Sequence, residues 1–214
     1  MPILTTSALY DRYSTDLIAT QPVTRDIPFS IDTMLQSNNP TTNYVSNVAL
    51  NIGKNNAAAQ ISRAWGKPDF STIPTGATFI SSIFHPTPIG DFTSNVRTMR
   101  MHRCLRAVVG AQATWNIWST GNNWGTAGCS NSSNDYDGAV ELGNMSVPAA
   151  PTLNVPMSMT VLATEFQKLF DGTYTNNGIV LFMDTQIDDL TQYASQDNTT
   201  PAYRPYFTVT YMPR

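Results

Sequence analysis

The stretch that most restricts the fold is GIVLFM at residues 178–183, where Ile179 to Met183 are apolar without a break. Such a run is too short for a typical helix. It suits a strand buried on both faces. Other segments alternate with the period of two that a half-buried strand requires. In SNVALNIGK, Val48, Leu50 and Ile52 share a face. Pro74 to Gly76 supplies a turn, and residues 77–84 follow as a strand. In RTMRMHRCLR, Met99, Met101 and Leu105 face one way, and Arg100, His102, Cys104 and Arg106 the other. The end, YRPYFTVTY, sets Phe207, Val209 and Tyr211 against Tyr206, Thr208 and Thr210. One segment breaks the pattern. MTVLATEFQKLFDGT has Leu162, Phe166, Leu169 and Phe170 at helical spacing, with Gly172 as a stop. Many short strands with one short helix predict an all-β sandwich. Residues 1–30 lack periodicity and are expected to form an irregular arm. Residues 31–214 are expected to form a single domain, a length that all-β folds often reach undivided.

Composition narrows the function. Charged residues are only 13 % of the chain, and the polar share falls to Asn, Thr and Ser, which favour strands and turns over helices. The net charge of −3 offers no global basic field for nucleic acid. No apolar run of about 18 residues marks a membrane span. The opening MPILTTSALYDRYSTD lacks a basic segment followed by an apolar core, so no secretory signal is read there. The expectation is a protein that stays where it is made or leaves by lysis. Without a secretory signal, Cys104 and Cys129 read as free thiols rather than a disulfide. No CxxC or HxxxH spacing points to a metal.

The order of segments resembles the DNRLRE-type domain, a jelly-roll β-sandwich related to carbohydrate-binding modules. The residues that carry the resemblance are DTMLQSNNPTTNY (32–44), DFSTIPTGATFISSIF (69–84), MRMHRCLR (99–106), QATWNIWSTGNNWGTAG (112–128) with the later NDYDG, FQKLFDGTYTNNGIVLF (166–182) and RPYFTVTY (204–211). The TWN-to-Trp-Gly and IPxGAT pieces are the specific ones. The chain departs from the family in lacking the motif that names it, in Val45 where Gly is usual, and in Trp65 near a small aliphatic position. The resemblance implies a jelly-roll over roughly residues 32–214.

Trp115, Trp118 and Trp124 fall on one Gly- and Asn-rich segment. Exposed rings would make a platform for sugars; buried rings would plug the fold. By the resemblance, Trp115 and Trp124 are fold residues, next to Thr114 and Asn116, whose side chains can close a turn. Trp118 stands outside the motif and is the candidate for exposure, as a contact for glycan or protein. Asp135 and Asp137 in NSSNDYDG suggest a calcium site built from loop oxygens, against the alternative of a solvated turn. Arg100, His102 and Arg106 form a basic face that could meet a phosphate, an acidic glycan or an acidic protein surface. The alternative is a solvated strand with ion pairs.

Nothing in the sequence assembles a reaction centre. His85 and His102 sit in no nucleophile motif, and GxSxG and HExxH are absent. Two readings follow. The first is a non-enzymatic virion protein, assembled in the host cytoplasm. It would be a bacteriophage capsid decoration, fibre or accessory piece docked on the major capsid protein or another virion protein. It could self-associate and contact host-surface glycans, with no nucleic-acid or membrane partner. Occurrence of the resembled domain in phage structural proteins supports it. The second is a stand-alone carbohydrate-binding module.

Overall fold

The structure, a computed structural model, describes residues 21–92, 95–183 and 188–214. Along the chain lie β1 (Val23–Gln36), β2 (Ala49–Asn55), β3 (Gln60–Pro68), β4 (Thr78–His85), β5 (Pro88–Asp91), β6 (Arg97–Cys104) and β7 (Ile117–Ser119). They are followed by β8 (Asn122–Asn123), β9 (Tyr136–Val147), β10 (Met159–Val161), α1 (Ala163–Phe170), β11 (Ile179–Met183), β12 (Asp189–Ala194) and β13 (Tyr206–Met212). The all-β expectation holds. No helix among the described residues is long and apolar enough to cross a membrane.

Among the described residues, eleven strands form one sheet, in the order β1-β13-β4-β10-β9-β6-β11-β3-β2-β12-β5. Because β1 also pairs with β3, the first eight of that order close into a ring, and β2, β12 and β5 branch from β3. Closure removes the free edges of those eight strands. The strand that closes the ring is β1. Its residues 23–28 pair with β13 and residues 29–36 pair with β3, with the register shifting between Phe29 and Ile31. Pro28 sits at this change of partner, where a missing N–H costs no ladder bond. The expected arm therefore needs correction. Residues 1–20 lie outside the described residues, but 23–30 are strand, so the sheet begins eight residues before position 31.

The run that opened the argument has both faces covered. Ile179, Leu181 and Met183 of β11 point into the main core, and Val180 and Phe182 point into a second apolar cluster outside the ring. The alternation predicted for β13 also holds: Phe207, Val209 and Tyr211 are all in the main core. Phe207 meets Phe29 edge-on at 5.7 Å and stacks on Phe166 of α1 at 4.6 Å. Offset and edge contacts of this kind suit the ring quadrupoles.

Helix α1 buries Phe166 and Leu169 and packs on β4. Gln167 fixes it there: its Oε1 accepts from Phe79 N at 2.7 Å and its Nε2 donates to Ala77 O at 3.2 Å. Leu162, expected on the apolar face, stands instead at the N-terminal cap position and is half exposed. Gly172 follows the helix with φ +83°, the left-handed conformation that ends a helix cheaply in glycine.

Candidate functional site

The tryptophan segment covers the outer side of the ring. The outward residues of β3, β11 and β6 are Trp65, Val180 and Cys104, and with Leu35, Ala113, Trp124 and Cys129 they form the second apolar cluster. Trp65 is fully buried, with its indole Nε1 donating to Asn177 O at 2.9 Å. Trp124 is buried too, and its Nε1 donates to Thr114 O at 2.9 Å. Thr114 closes a turn by accepting at Oγ1 from Asn116 N (3.2 Å) and Ile117 N (3.4 Å). Asn116 contributes its backbone to this turn, and its carbonyl takes Trp124 N at 3.2 Å. The small hairpin β7–β8 pairs Ile117 with Asn123 and turns at Gly121. Trp115 lies against Gly128, whose φ is +77° and where any Cβ would strike the indole ring. Trp118 is not the free aromatic that the sequence suggested. It is half-buried against the same cluster as Trp115.

Asp135 locks this segment. Its side chain is 0 % exposed. Oδ1 accepts from Gly125 N at 2.7 Å, and Oδ2 from Thr126 N and Asn131 N at 3.0 Å each. Arg106 Nε adds a contact to Oδ1 at 3.4 Å. A buried carboxylate of this kind is stabilised by donors that converge on it. Those donors are N–H groups and a guanidinium, which would repel a cation. Asp137 is turned to other partners: Oδ2 pairs with Arg103 at 2.8 Å and Oδ1 accepts from Ala139 N at 3.1 Å. The residues present therefore do not fit the calcium site expected at Asp135 and Asp137. Among the described residues, no group of three or more His, Cys, Asp or Glu is arranged for a metal.

The basic face is also rearranged. β6 ends at Cys104, so Arg106 lies beyond the strand and reaches Asp135. His102 is 5 % exposed and stacks flat on Phe182, with ring centroids 5.4 Å apart. Its Nδ1 faces the carbonyls of Asp137 (2.8 Å) and Val140 (3.1 Å), so that nitrogen carries the proton. Its Nε2 lies 3.9 Å from Glu141. Arg100 is the exposed member and pairs with Glu141. Burial alone would raise the Glu141 carboxyl, but hydrogen bonds from Asn144 and Arg100 outweigh it and hold the group below its ordinary value. Arg100 and His102 thus share Glu141 while Arg106 turns away to Asp135, so the three do not form one free basic face. His102 lies on the outer side with Arg100 and Cys104, as counting by twos gives, and the register of β6 against β9 slips on both sides of it.

Several residues at this site went unremarked in the sequence. Arg63 of β3 lies over the Phe182 ring at 4.5 Å, and its NH1 donates to Cys129 O at 2.9 Å. Burial lowers the Arg63 guanidinium from its ordinary value. Phe182 is therefore flanked by Arg63 and His102, both outward neighbours in the sheet. Only the alternation of GIVLFM hinted that Phe182 had a covered outer side.

Beside the segment opens a shallow cleft of about 440 Å³ along residues 43–48. Asn43 ties it to the tryptophan segment: its Nδ2 donates to Gly110 O (2.8 Å) and Ala113 O (2.6 Å). Asn43, Tyr44, Ser46 and Asn47 give the cleft amide and hydroxyl groups with one half-buried ring. Val45 and Val48 complete its lining with apolar surface. No protein-family model matches the chain, and no curated protein matches it.

Proposed function

We propose that this protein is a non-enzymatic structural component of a virus particle, docked by the segment that precedes β1. The observation that carries the reading is where β1 begins. β1 starts beside the end of β13, with Val23 opposite Tyr211. The first strand of the ring therefore starts beside the C-terminal strand, and a docking segment attached there would leave the ring strands free. The charged side chains near the tryptophan segment are paired within the domain: Asp135 with Arg106, Asp137 with Arg103, Glu141 with Arg100. That favours a scaffold over a reaction centre.

The jelly-roll and DNRLRE-type readings belong to the same proposal. Their support is that the motif residues Trp124, Thr114 and Gly128 all serve the fold, as signature residues of a family would. The partner is the major capsid protein or another virion protein. Deleting residues 1–21 leaves all of β1 in place and should abolish co-sedimentation with particles. Undiminished binding by the truncated chain would remove the docking role.

A stand-alone carbohydrate-binding module is the second reading, and the cleft along residues 43–48 favours it. A glycan array of the native chain tests it, with Ser46→Trp to fill the cleft and Trp118→Ala as a companion. Absence of glycan binding by the native chain rules this reading out.

A further inference from the structure

Asn177 and Gly178, which lead into β11, are the one Asn-Gly pair in the chain. The fold requires the glycine. Its φ is +85°, and a Cβ there would stand 2.7 Å from both Gly66 O and the Trp65 indole nitrogen. The asparagine is held as firmly. Its carbonyl accepts from Trp65 Nε1 at 2.9 Å, and its Nδ2 donates to Leu105 O at 3.2 Å. The Gly178 N–H donates to Asn176 Oδ1 at 3.2 Å, and the Gly178 carbonyl accepts from Cys104 N at 2.9 Å. The pair thus joins β3, the end of β6 and the start of β11 at one point. It is also the dipeptide least hindered for attack on its own side chain, because glycine sets no Cβ beside the reacting nitrogen.

We propose that Asn177 is a guarded deamidation site, inert while the domain is closed and converted to aspartate or isoaspartate when this corner opens. The step needs only water. The Gly178 nitrogen loses its proton to solvent base and attacks Asn177 Cγ. The new C–N bond closes a succinimide ring, the Cγ–Nδ2 bond breaks, and ammonia leaves with a proton from water. Water then opens the ring at either carbonyl. One product is aspartate; the other is isoaspartate, with the main chain rerouted through the side chain. No electrons are transferred. In the folded chain the nitrogen that must attack is bonded to Asn176 and the amide that must leave is bonded to Leu105, so both contacts must break first. The products do not fit back. A carboxylate would face the Leu105 carbonyl in place of a donor, and isoaspartate displaces the carbonyl that satisfies the buried Trp65 N–H. Conversion therefore marks chains that have opened. This chemistry does not depend on the particle reading.

The test uses the full chain, warmed at mildly alkaline pH in buffer and in guanidinium chloride, with peptide mapping by mass spectrometry at intervals. In denaturant, Asn177 should convert ahead of every other asparagine. In buffer its conversion should be slower by at least about tenfold, the factor that an opening cost of about 1.4 kcal/mol supplies. Chains converted in denaturant and then refolded should melt lower than chains refolded before conversion. Asn176→Ala, confirmed as folded by circular dichroism, frees the Gly178 N–H and should convert faster in buffer than the native chain. Equal rates in buffer and denaturant, another asparagine converting first in denaturant, an unchanged Tm after conversion, or a folded Asn176→Ala chain that converts no faster would each overturn the proposal.

Discussion

The residue that best shows how side-chain type can mislead is Asp135. Two aspartates in an Asn- and Ser-rich loop look like a cation site when only side chains are read. The decisive groups are backbone N–H donors from Gly125, Thr126 and Asn131, and no side-chain pattern displays those. The account expects chelator to leave the Tm unchanged in a melting experiment; a clear fall would restore a structural ion. It expects Asp135→Ala to destabilise by about 3–5 kcal/mol in denaturant titration, because three N–H groups and Arg106 lose their acceptor in a buried place. Asp32 makes a different prediction. It is 1 % exposed, accepts from Gln196 N at 2.8 Å through Oδ2, and has no hydrogen-bond partner at Oδ1. Burial first, and then the nearby Asp197, push its carboxyl up from 3.8 to about 7, against the Gln196 bond. Below pH 3.8 the group is protonated in both folded and unfolded chains. As pH rises from there to about 7, the unfolded chain releases the proton and the folded one keeps it, so stability falls across that window and levels off above it. The difference in unfolding free energy between the native chain and Asp32→Asn should carry that slope, measured from pH 4 to 8. A difference that is flat with pH would contradict it.

At the scale of elements, what could be read depended on how local the pattern was. β11 and β13 were legible because their alternation maps directly onto inner and outer faces, even though β13 slips against β4 after Thr210. α1 was legible from the spacing of Phe166 and Leu169. β1 was not. VTRDIPFSIDTMLQ changes partner halfway and slips register after Phe29, so its last five residues are all buried, Asp32 and Gln36 among them. A strand that bends between two neighbours displays no single period. The tryptophan segment was half legible. The structural roles of Trp115 and Trp124 followed from the motif, but Trp118 is half-buried against a cluster drawn from several distant parts of the chain. The segment should behave as one unit locked to the ring. Gly128→Ala, which combines a strained φ with a clash against Trp115, is expected to cost about 2–4 kcal/mol. Near-UV circular dichroism of the tryptophans should weaken with it. An unchanged spectrum and stability would mean that Trp115 is not seated there.

At the scale of the whole molecule, the ring depends on pairings that join distant parts of the chain, such as β1 with β13 and β3 with β11. Short motifs predict that strands exist but not which strand lies beside which, so the all-β class could be read while ring closure could not. Closure also bears on the proposed role. Closure covers the edges of the eight ring strands and leaves the short β5, at the end of the branch, as the open edge of that sheet. What such a domain offers to a partner is its poles and the chain leading into it. The measurement that tests this most directly is co-sedimentation of purified particles with the full chain and with the chain lacking residues 1–21, both confirmed as folded by circular dichroism. The account predicts that the full chain travels with particles and the shortened chain stays in the supernatant. Equal recovery of both with particles, or of neither, would contradict it.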